Sequence, residues 1–340
     1  MDTVTAGQRV LAGWPVAAVP VQYDSDVGRV QRLAASAAAH QGLAPPVAQR
    51  LRRTAATMAS SLATHGRAGR MLVRLTEEGE RRGVELLGMD TAGNHVEAEL
   101  KPAATASDVF EIYTVAGKGT VMLAQLWNGD PSDVGAGHLV GSMVEPIPGE
   151  TVTGDAWAIE QHGARVIVLV ADGLGHGEQA AVASRAAVAA FRQHVREPVE
   201  DIASSMHEAL RRTRGAAIAL ADVDLDAGRL RFCGIGNITA RLLSAGGVHE
   251  LVSLYGIAGY QTRRIQSFVS TWPDDAMLVM HSDGLSSKWD VATYPDLRRQ
   301  HPQLVAATVM RDATRASDDA LVLALRGVHQ VPRPPHPGAD

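Results

Sequence analysis

Acidic side chains stand beside four predicted strands after residue 150, where they could hold metal ions. Asp155 starts a strand-like run, Asp172 ends the apolar run 166–171, Asp283 follows the apolar run 277–280, and Asp318 and Asp319 precede the last apolar run. Aspartates at strand ends can converge on one rim of a sheet. Carboxylates without Cys or adjacent His suit Mg²⁺ or Mn²⁺ better than zinc. Two such ions ~3.5–4 Å apart can present hydroxide to a phosphorus atom. The residue pattern alone leaves ordinary turn aspartates as an equal alternative.

Composition limits the kinds of protein this chain can be. It has 340 residues, of which 46% are hydrophobic and 20% charged, with a formal charge of -5. This length favours two domains, and the acidic balance argues against nucleic-acid binding. The single cysteine, Cys233, excludes an intrachain disulfide and a zinc site of several thiolates. No apolar run reaches ~18 residues and no signal-peptide pattern appears, so we expect no membrane span and a cytoplasmic location.

The first part of the chain reads as two helices followed by strands, which is an α+β pattern. A stretch rich in Gly, Asp, Pro and Ser at 128–137 predicts the domain boundary. We therefore expect domains at 1–130 and 138–328, and a disordered Pro-rich tail at 329–340. The helices predicted before the boundary are Val27–His40 and Pro45–Thr64, and the strands are Met71–Leu75, Gly83–Asp90, Asp108–Thr114 and Gly119–Leu126.

Strand-like runs and Ala-rich helices alternate after the boundary. The predicted helices are Glu178–His194, Val199–Arg212 and Gln303–Ala313. The predicted strands are Gly141–Pro146, Asp155–Glu160, Arg165–Ala171, Ala216–Asp224, Arg229–Gly234, Thr239–Leu243, His249–Leu254, Ala276–His281 and Ala320–Arg326.

Five motifs in this second part resemble, in the same order, those of a PPM-type phosphatase of the sporulation stage II protein E-like, RsbX-like subfamily. They are Thr153–Trp157, Val168–Gly177 with the helix that follows, Phe232–Ile238, Met280–Leu285 and Ser317–Leu321. The resemblance covers about 139–327 and implies an αββα sandwich with two Mn²⁺ or Mg²⁺ ions at one end.

The same resemblance implies roles for individual residues. Asp155 and Asp172 would hold the metals with the Gly173 carbonyl, and Asp283 and Asp318 would complete the site. His176, in the Gly-rich turn after Asp172, would contact phosphate or act as a general acid. A turn residue without such a role is an equal alternative for His176.

Residues 1–130 resemble, mainly by order of elements, a degenerate anti-sigma serine kinase of the GHKL ATPase class, an α/β sandwich. Asp90-Thr-Ala-Gly93 occupies the place of the adenine-binding box. The family's Glu and Asn are replaced by Thr57-Met-Ala-Ser-Ser61, and 94–108 contains no Gly-rich lid for phosphates. We therefore expect no kinase activity and a docking or regulatory role for this part.

The function that this resemblance implies is a metal-dependent protein serine/threonine phosphatase in partner-switching signalling. Its implied substrate is a phosphorylated STAS-type anti-anti-sigma protein, with a switch kinase or sigma regulator as a further partner of the first domain. Two rival hypotheses stay open: a non-catalytic scaffold that sequesters a partner, and an active anti-sigma kinase with an appended domain.

Overall fold

The computed structural model describes residues 9–10, 17–78, 81–129, 138–262 and 264–327. Within them the chain forms three large sheets, a two-stranded ribbon and six α-helices. The predicted tail at 329–340 and most of the predicted boundary at 128–137 lie outside the described residues, so the division into domains stays a prediction.

The first sheet is antiparallel and is built from the N-terminal part of the chain. Its order is β1-β3-β4-β6-β5, with β2 also paired to β3. Its strands are β1 (Arg9–Val10), β2 (Ala17–Val21), β3 (Gly69–Glu78), β4 (Arg81–Asp90), β5 (Val109–Val115) and β6 (Gly119–Trp127). The helices around it are α1 (Asp24–Gln41), α2 (Pro45–His65) and α3 (Glu97–Ala106).

Helices α1 and α2 form where the apolar spacing predicts them, and they bury their apolar residues against one face of the first sheet. Helix α2 begins with proline, which has no backbone N–H. In the first turn of a helix this N–H would have no carbonyl partner within the helix, so proline loses no hydrogen bond there. The sequence analysis missed α3, which contains Pro102 and lies where a kinase of the GHKL class would have its lid. Leu100 and Ala103 of α3 are buried, so tertiary packing outweighs the poor helix propensity of this segment.

Two further sheets follow, and most of their strands occur where apolar runs predict them; the strand Phe268–Thr271 and the two strands of the ribbon were not predicted. The second sheet has the order β14-β11-β10-β9-β8, with β17 paired to β11, and the third has the order β13-β12-β18-β19-β7. The second contains β8 (Asp155–His162), β9 (Arg165–Gly173), β10 (Ala216–Asp224), β11 (Arg229–Ile235), β14 (Ser253–Leu254) and β17 (Phe268–Thr271). The third contains β7 (His138–Glu145), β12 (Thr239–Ser244), β13 (Gly247–Leu251), β18 (Met277–His281) and β19 (Ala320–Gly327). Strands β15 (Gly256–Ile257) and β16 (Gln261–Thr262) form the ribbon.

The alternation along β9 shows how the layers are stacked. Val166, Val168 and Val170 belong to the core between the second and third sheets. Ile167, Leu169 and Ala171 point to the opposite face, against α4 (Glu178–His194) and α5 (Val199–Leu210). A strand with both faces covered reads as a continuous apolar run, as this one does.

The last helix, α6 (Pro302–Ala313), covers the outer face of the third sheet. Its other side packs on the first sheet, through residues such as Leu87, Met89 and Leu123. The layers are therefore helices, first sheet, α6, third sheet, second sheet and helices. The last four layers are consistent with the fold expected for a PPM-type phosphatase.

Candidate active site

A cavity of about 360 Å³ opens between the ends of the second and third sheets. Asp172 lines it from the second sheet, and Asp283 and Asp318 line it from the loops that join strands of the third. Leu174, Gly175, Asn237, Tyr255 and Ile257 also contribute to its wall. Three of the four aspartates predicted to be metal ligands thus share one cavity.

Strand register places Asp155, the fourth predicted ligand, directly beside Asp172. The two are cross-strand partners at the end of the β8–β9 ladder. Asp155 is buried and is fixed by a hydrogen bond from the Ser282 hydroxyl to its Oδ2, at 2.7 Å. The Ser282 Oγ in turn accepts the Leu321 backbone N–H at 3.0 Å. This contact links the acid end of the second sheet to that of the third.

Antiparallel pairing of β18 with β19 places Asp283 and Asp318 at one edge of the third sheet. Asp283 follows the end of β18, and Asp318 shortly precedes the start of β19. The Asn237 side-chain amide donates to Asp283 Oδ2 at 2.6 Å. Asn237 lies at the turn between β11 and β12, so a residue from a crossover between the sheets orients this carboxylate.

Asp319 has a different place from the four predicted metal ligands. Its carboxylate accepts the backbone N–H groups of Ile147, at 2.7 Å, and Gly154, at 2.6 Å. These bonds hold the loop that leads into Asp155. Asp319 is therefore a positioning residue, because its oxygens are already occupied by backbone donors.

Gly173 must be glycine for reasons of space. A Cβ built on it would lie 2.1 Å from the carbonyl oxygen of Ala180, in the first turn of α4. Only glycine, which has no Cβ, can place its backbone this close to the Ala180 carbonyl. It lets α4 approach the end of β9 and fixes the backbone between Asp172 and Leu174. A ligand role for the Gly173 carbonyl stays a prediction.

The electrostatics of the cluster are those of buried like charges. Burial raises the pKa values of Asp155 and Asp172, and the negative charges of the neighbouring aspartates raise both further. Burial and the charge of Asp318 also raise the pKa of Asp283, against the opposing effects of Arg315 and Asn237. A bound cation would remove this repulsion.

The donor set fits Mg²⁺ or Mn²⁺ by chemistry. Throughout the described ranges, no three carboxylate, imidazole or thiolate groups stand close enough to form a ready-made metal cluster. Mg²⁺, however, is usually held through one or two carboxylates and keeps several waters. Aspartates that share a cavity and repel one another meet that requirement, and soft ligands are not among the residues that line this cavity.

The structure does not bring His176 into the cavity wall. Its imidazole is more than half exposed, with 55% of the side chain accessible, and its Nδ1 lies 3.2 Å from a carboxylate oxygen of Glu150. The alternative of a turn residue suits this position better than a general acid. A catalytic role for His176 stays a prediction.

In the N-terminal part, the Asp90 carboxylate is enclosed and its oxygens are occupied. It accepts the backbone N–H groups of Ala92 and Gly93 and is paired with the His95 imidazole. The other ring nitrogen of His95 bonds the Ser61 hydroxyl at 2.7 Å. The side chains of Asp90 and His95 have no exposed surface. The geometry is that of a structural turn, and this carboxylate has no oxygen free for an adenine amine.

Sequence reasoning missed several residues of the cavity. Asn237 lines the cavity and Ser282 binds Asp155, and both stand inside motifs that the sequence analysis used. Their polar side chains beside glycine and aspartate turns were the available signal. Tyr255 is 94% exposed at the cavity wall. Its place there could not be predicted, because the other residues that line the cavity are distant from it in sequence.

Comparisons with known proteins agree with this geometry. Residues 162–327 match the family Stage II sporulation protein E (SpoIIE), a match that includes Asp172, Asp283 and Asp318 and begins after Asp155. The phosphoserine phosphatase RsbX of Bacillus subtilis (strain 168) is 27% identical over 153 residues, which are 44% of this chain and 72% of RsbX.

Solved structures support the same assignment. A chain from the bacterial stressosome, described as a modular system adapted to control secondary messenger signalling, is 28% identical. It has a TM-score of 0.52 and covers 56% of this chain and 99% of its own. The phosphatase domain of SpoIIE from Bacillus subtilis, solved with a fragment of its regulatory domain, is 17% identical with a TM-score of 0.51, over 75% of this chain and 81% of its own. At that identity it shows a shared fold only. Taken with the acid cavity, the match of residues 162–327 to the SpoIIE family model and the similarity to RsbX identify the chain as a PPM-type protein serine/threonine phosphatase.

Proposed function

We propose that this phosphatase hydrolyses phosphoserine or phosphothreonine on a STAS-type anti-anti-sigma protein in the cytoplasm. In this proposal 138–328 is the catalytic part, and two Mn²⁺ or Mg²⁺ ions are held by Asp155, Asp172, Asp283 and Asp318. The observation that carries the proposal is the single cavity lined by Asp172, Asp283 and Asp318, with Asp155 paired to Asp172 behind it.

The chemistry follows from the charges. Ions held by these aspartates would offset the negative charge of the phosphoryl group and would activate water as the nucleophile. The chain's own residues fix the positions of the carboxylates. Ser282 and Asn237 orient Asp155 and Asp283 by direct hydrogen bonds, and Asp319 holds the loop before Asp155. This preorganisation means that little reorientation is needed when the substrate binds.

The mouth of the cavity supports a protein substrate rather than a small ester. Tyr255 is 94% exposed and Leu174 is 49% exposed, and both line the acid cavity. Large apolar side chains exposed around a polar site are typical of surfaces that bind another protein. The choice of a STAS-type protein rests on the family resemblance and on the partner-switching context of the relatives.

For the N-terminal part, 1–130, we infer a docking or regulatory role toward a switch kinase or sigma regulator. The occupied carboxylate of Asp90 supports a part without ATP binding. Among the described helices none is both long and apolar enough to cross a bilayer.

A direct test uses the full chain with two substrates, p-nitrophenyl phosphate and a serine-phosphorylated STAS protein, each with and without Mn²⁺. We expect Mn²⁺-dependent release of phosphate from both, lost in Asp172→Asn and retained in Asp226→Asn, an exposed turn carboxylate that serves as the matched control. Hydrolysis that persists in Asp172→Asn would refute the assigned site. Metal-independent binding of the STAS protein without hydrolysis would favour the scaffold hypothesis.

A further inference from the structure

Arg214 stands at the acid cavity because of the register of the second sheet. Ala216 pairs with Gly173 across β10 and β9, and the Leu174 N–H donates to the Gly215 carbonyl at 3.0 Å. The guanidinium of Arg214 therefore lies over Gly175, which lines the cavity. A Cβ built on Gly175 would be 3.2 Å from Arg214 Nη1, so glycine leaves room for this arginine.

Arg315 stands on the opposite side, at the third sheet. Its backbone N–H donates to the Gly284 carbonyl at 2.7 Å, directly after Asp283. An isolated bridge between Leu285 and Thr314 fixes the same loop. The positive charge of Arg315 acts on the Asp283 carboxylate, where it opposes the effect of burial on the pKa. The backbone of Arg214 therefore lies at the cavity end of the second sheet, and the backbone of Arg315 lies beside the loop that carries Asp283.

Both arginines are exposed, and within the described ranges neither side chain makes a hydrogen bond or ion pair. Some exposed arginines of this chain have acidic partners, such as Arg211, which lies 3.0 Å from Glu208, whereas Arg212 in the described ranges has none. The site needs added positive charge, because the aspartates of the cavity repel a phosphate dianion as well as one another. The planar guanidinium fork matches phosphate oxygens in a bidentate manner that other side chains do not reproduce.

We propose that Arg214 and Arg315 bind the phosphoryl group of the substrate from the two sides of the cavity, an inference that rests on the proposed function. They supply positive charge where the substrate enters, and they set affinity for the phosphoryl group without contributing metal ligands. The ligand chemistry is a phosphate monoester dianion, and the same site binds the inorganic phosphate that is released.

The test compares Arg214→Ala, Arg315→Ala and the Lys variants of both with Arg212→Ala. Arg212 is an exposed arginine of the same turn and serves as the matched control. The measurements are kcat and KM for p-nitrophenyl phosphate with Mn²⁺, inhibition by inorganic phosphate, and Mn²⁺ binding by calorimetry. Thermal melting shows that each variant is folded.

We expect each Ala variant to raise KM about tenfold and to weaken phosphate inhibition by a similar factor, with kcat changed less than about threefold. Lysine should recover part of the loss, because it keeps the charge but not the fork. Mn²⁺ affinity and the Arg212→Ala control should stay at wild-type values. Unchanged KM and unchanged phosphate inhibition in both Ala variants would overturn the proposal, as would a KM that rises for a phosphoprotein alone.

A failure of the proposed function would be recognised separately. If the wild-type chain released no phosphate from either substrate, calorimetric titration of inorganic phosphate into the Mn²⁺-loaded protein would still test the arginines. Phosphate binding that is weakened in Arg214→Ala and Arg315→Ala would support them, and binding of equal strength in all variants would refute them.

Discussion

Replacing Asp172 with asparagine should make the metal-free protein more stable while it abolishes activity. Burial, followed by the charges of Asp155, Asp283 and Asp318, raises the pKa of Asp172 to about 9. At pH 7 the native protein therefore binds a proton at this site that the unfolded chain, with its ordinary pKa, does not bind. Because the native state binds more protons, its stability falls as pH rises through this range.

The size of the effect can be worked from these values. Each pH unit between the ordinary value of 3.8 and pH 7 costs about 1.4 kcal/mol, which gives an upper limit of about 4 kcal/mol. Asparagine has nearly the same shape and no charge, so it removes this cost. Its amide N–H groups need partners in the cavity, which costs on the order of 1–2 kcal/mol. We therefore expect a net gain of about 2–3 kcal/mol in unfolding free energy.

The assay is thermal and urea denaturation in EDTA, and again with Mn²⁺, at pH 4 and pH 7. In EDTA at pH 7 the Asp172→Asn variant should melt several degrees above the wild type, at roughly 2 °C per kcal/mol for a chain of this size. At pH 4 the gain should be lost and the variant should be less stable than the wild type by up to about 1 kcal/mol, because the unfolded carboxylate is then about half protonated and the cost of the amide remains. Mn²⁺ at about 100 times its Kd should add about 3 kcal/mol to the wild type and little to the variant.

The control is Asp226→Asn, which removes an exposed charge and should change stability by less than about 0.5 kcal/mol. The reasoning is refuted if Asp172→Asn melts below the wild type in EDTA at pH 7. It is also refuted if the stabilisation is the same at pH 4 and pH 7, because a charge effect must disappear when the charge does.

Three further outcomes follow from particular contacts. Gly173→Ala should lower the unfolding free energy by about 2–4 kcal/mol in urea, because its Cβ would meet the Ala180 carbonyl at 2.1 Å, whereas Gly246→Ala, which has space, should have little effect. Tyr255→Ala should raise KM for the phosphorylated STAS protein at least fivefold and leave KM for p-nitrophenyl phosphate nearly unchanged, since the ring is exposed at the cavity mouth. Burial lowers the pKa of His281 from 6.5 to about 4, so this residue should cost up to about 3 kcal/mol of stability as pH falls from 6.5 to 4; a pH series of His281→Asn should lack that loss.

The positions of the site aspartates could be predicted because a polar residue directly before or after a buried apolar run lies at a strand end. Asp172 closes an apolar run, and Asp283 follows another, so the sequence alone places both at strand ends. That they share one cavity depends on how two sheets pack face to face. Local sequence does not contain that information, and the family resemblance supplied it.

The residues that sequence reasoning missed act across long distances in the chain. Tyr255 reaches the cavity because Ala216 and Ala258 form a bridge that docks its loop beside β10. Nothing in the immediate sequence of Arg214 or Arg315 distinguishes these arginines from Arg211 or Arg212. Only the fold brings the backbone of each arginine to a sheet end where the aspartates lie.

The packing of α6 explains why the N-terminal part and the phosphatase part form one core. Residues Pro302–Met310 of α6 are all buried, since the third sheet covers one side of the helix and the first sheet covers the other. A helix of a globular protein that is apolar on nearly every side is enclosed by other parts of the protein, and the run Leu304–Met310 is of this kind. The Arg311 guanidinium extends this contact with a hydrogen bond to the Asp90 carbonyl at 3.2 Å. Because the loop with Arg315 and Asp318 begins where α6 ends, the helix that carries the N-terminal sheet also anchors one side of the acid cavity.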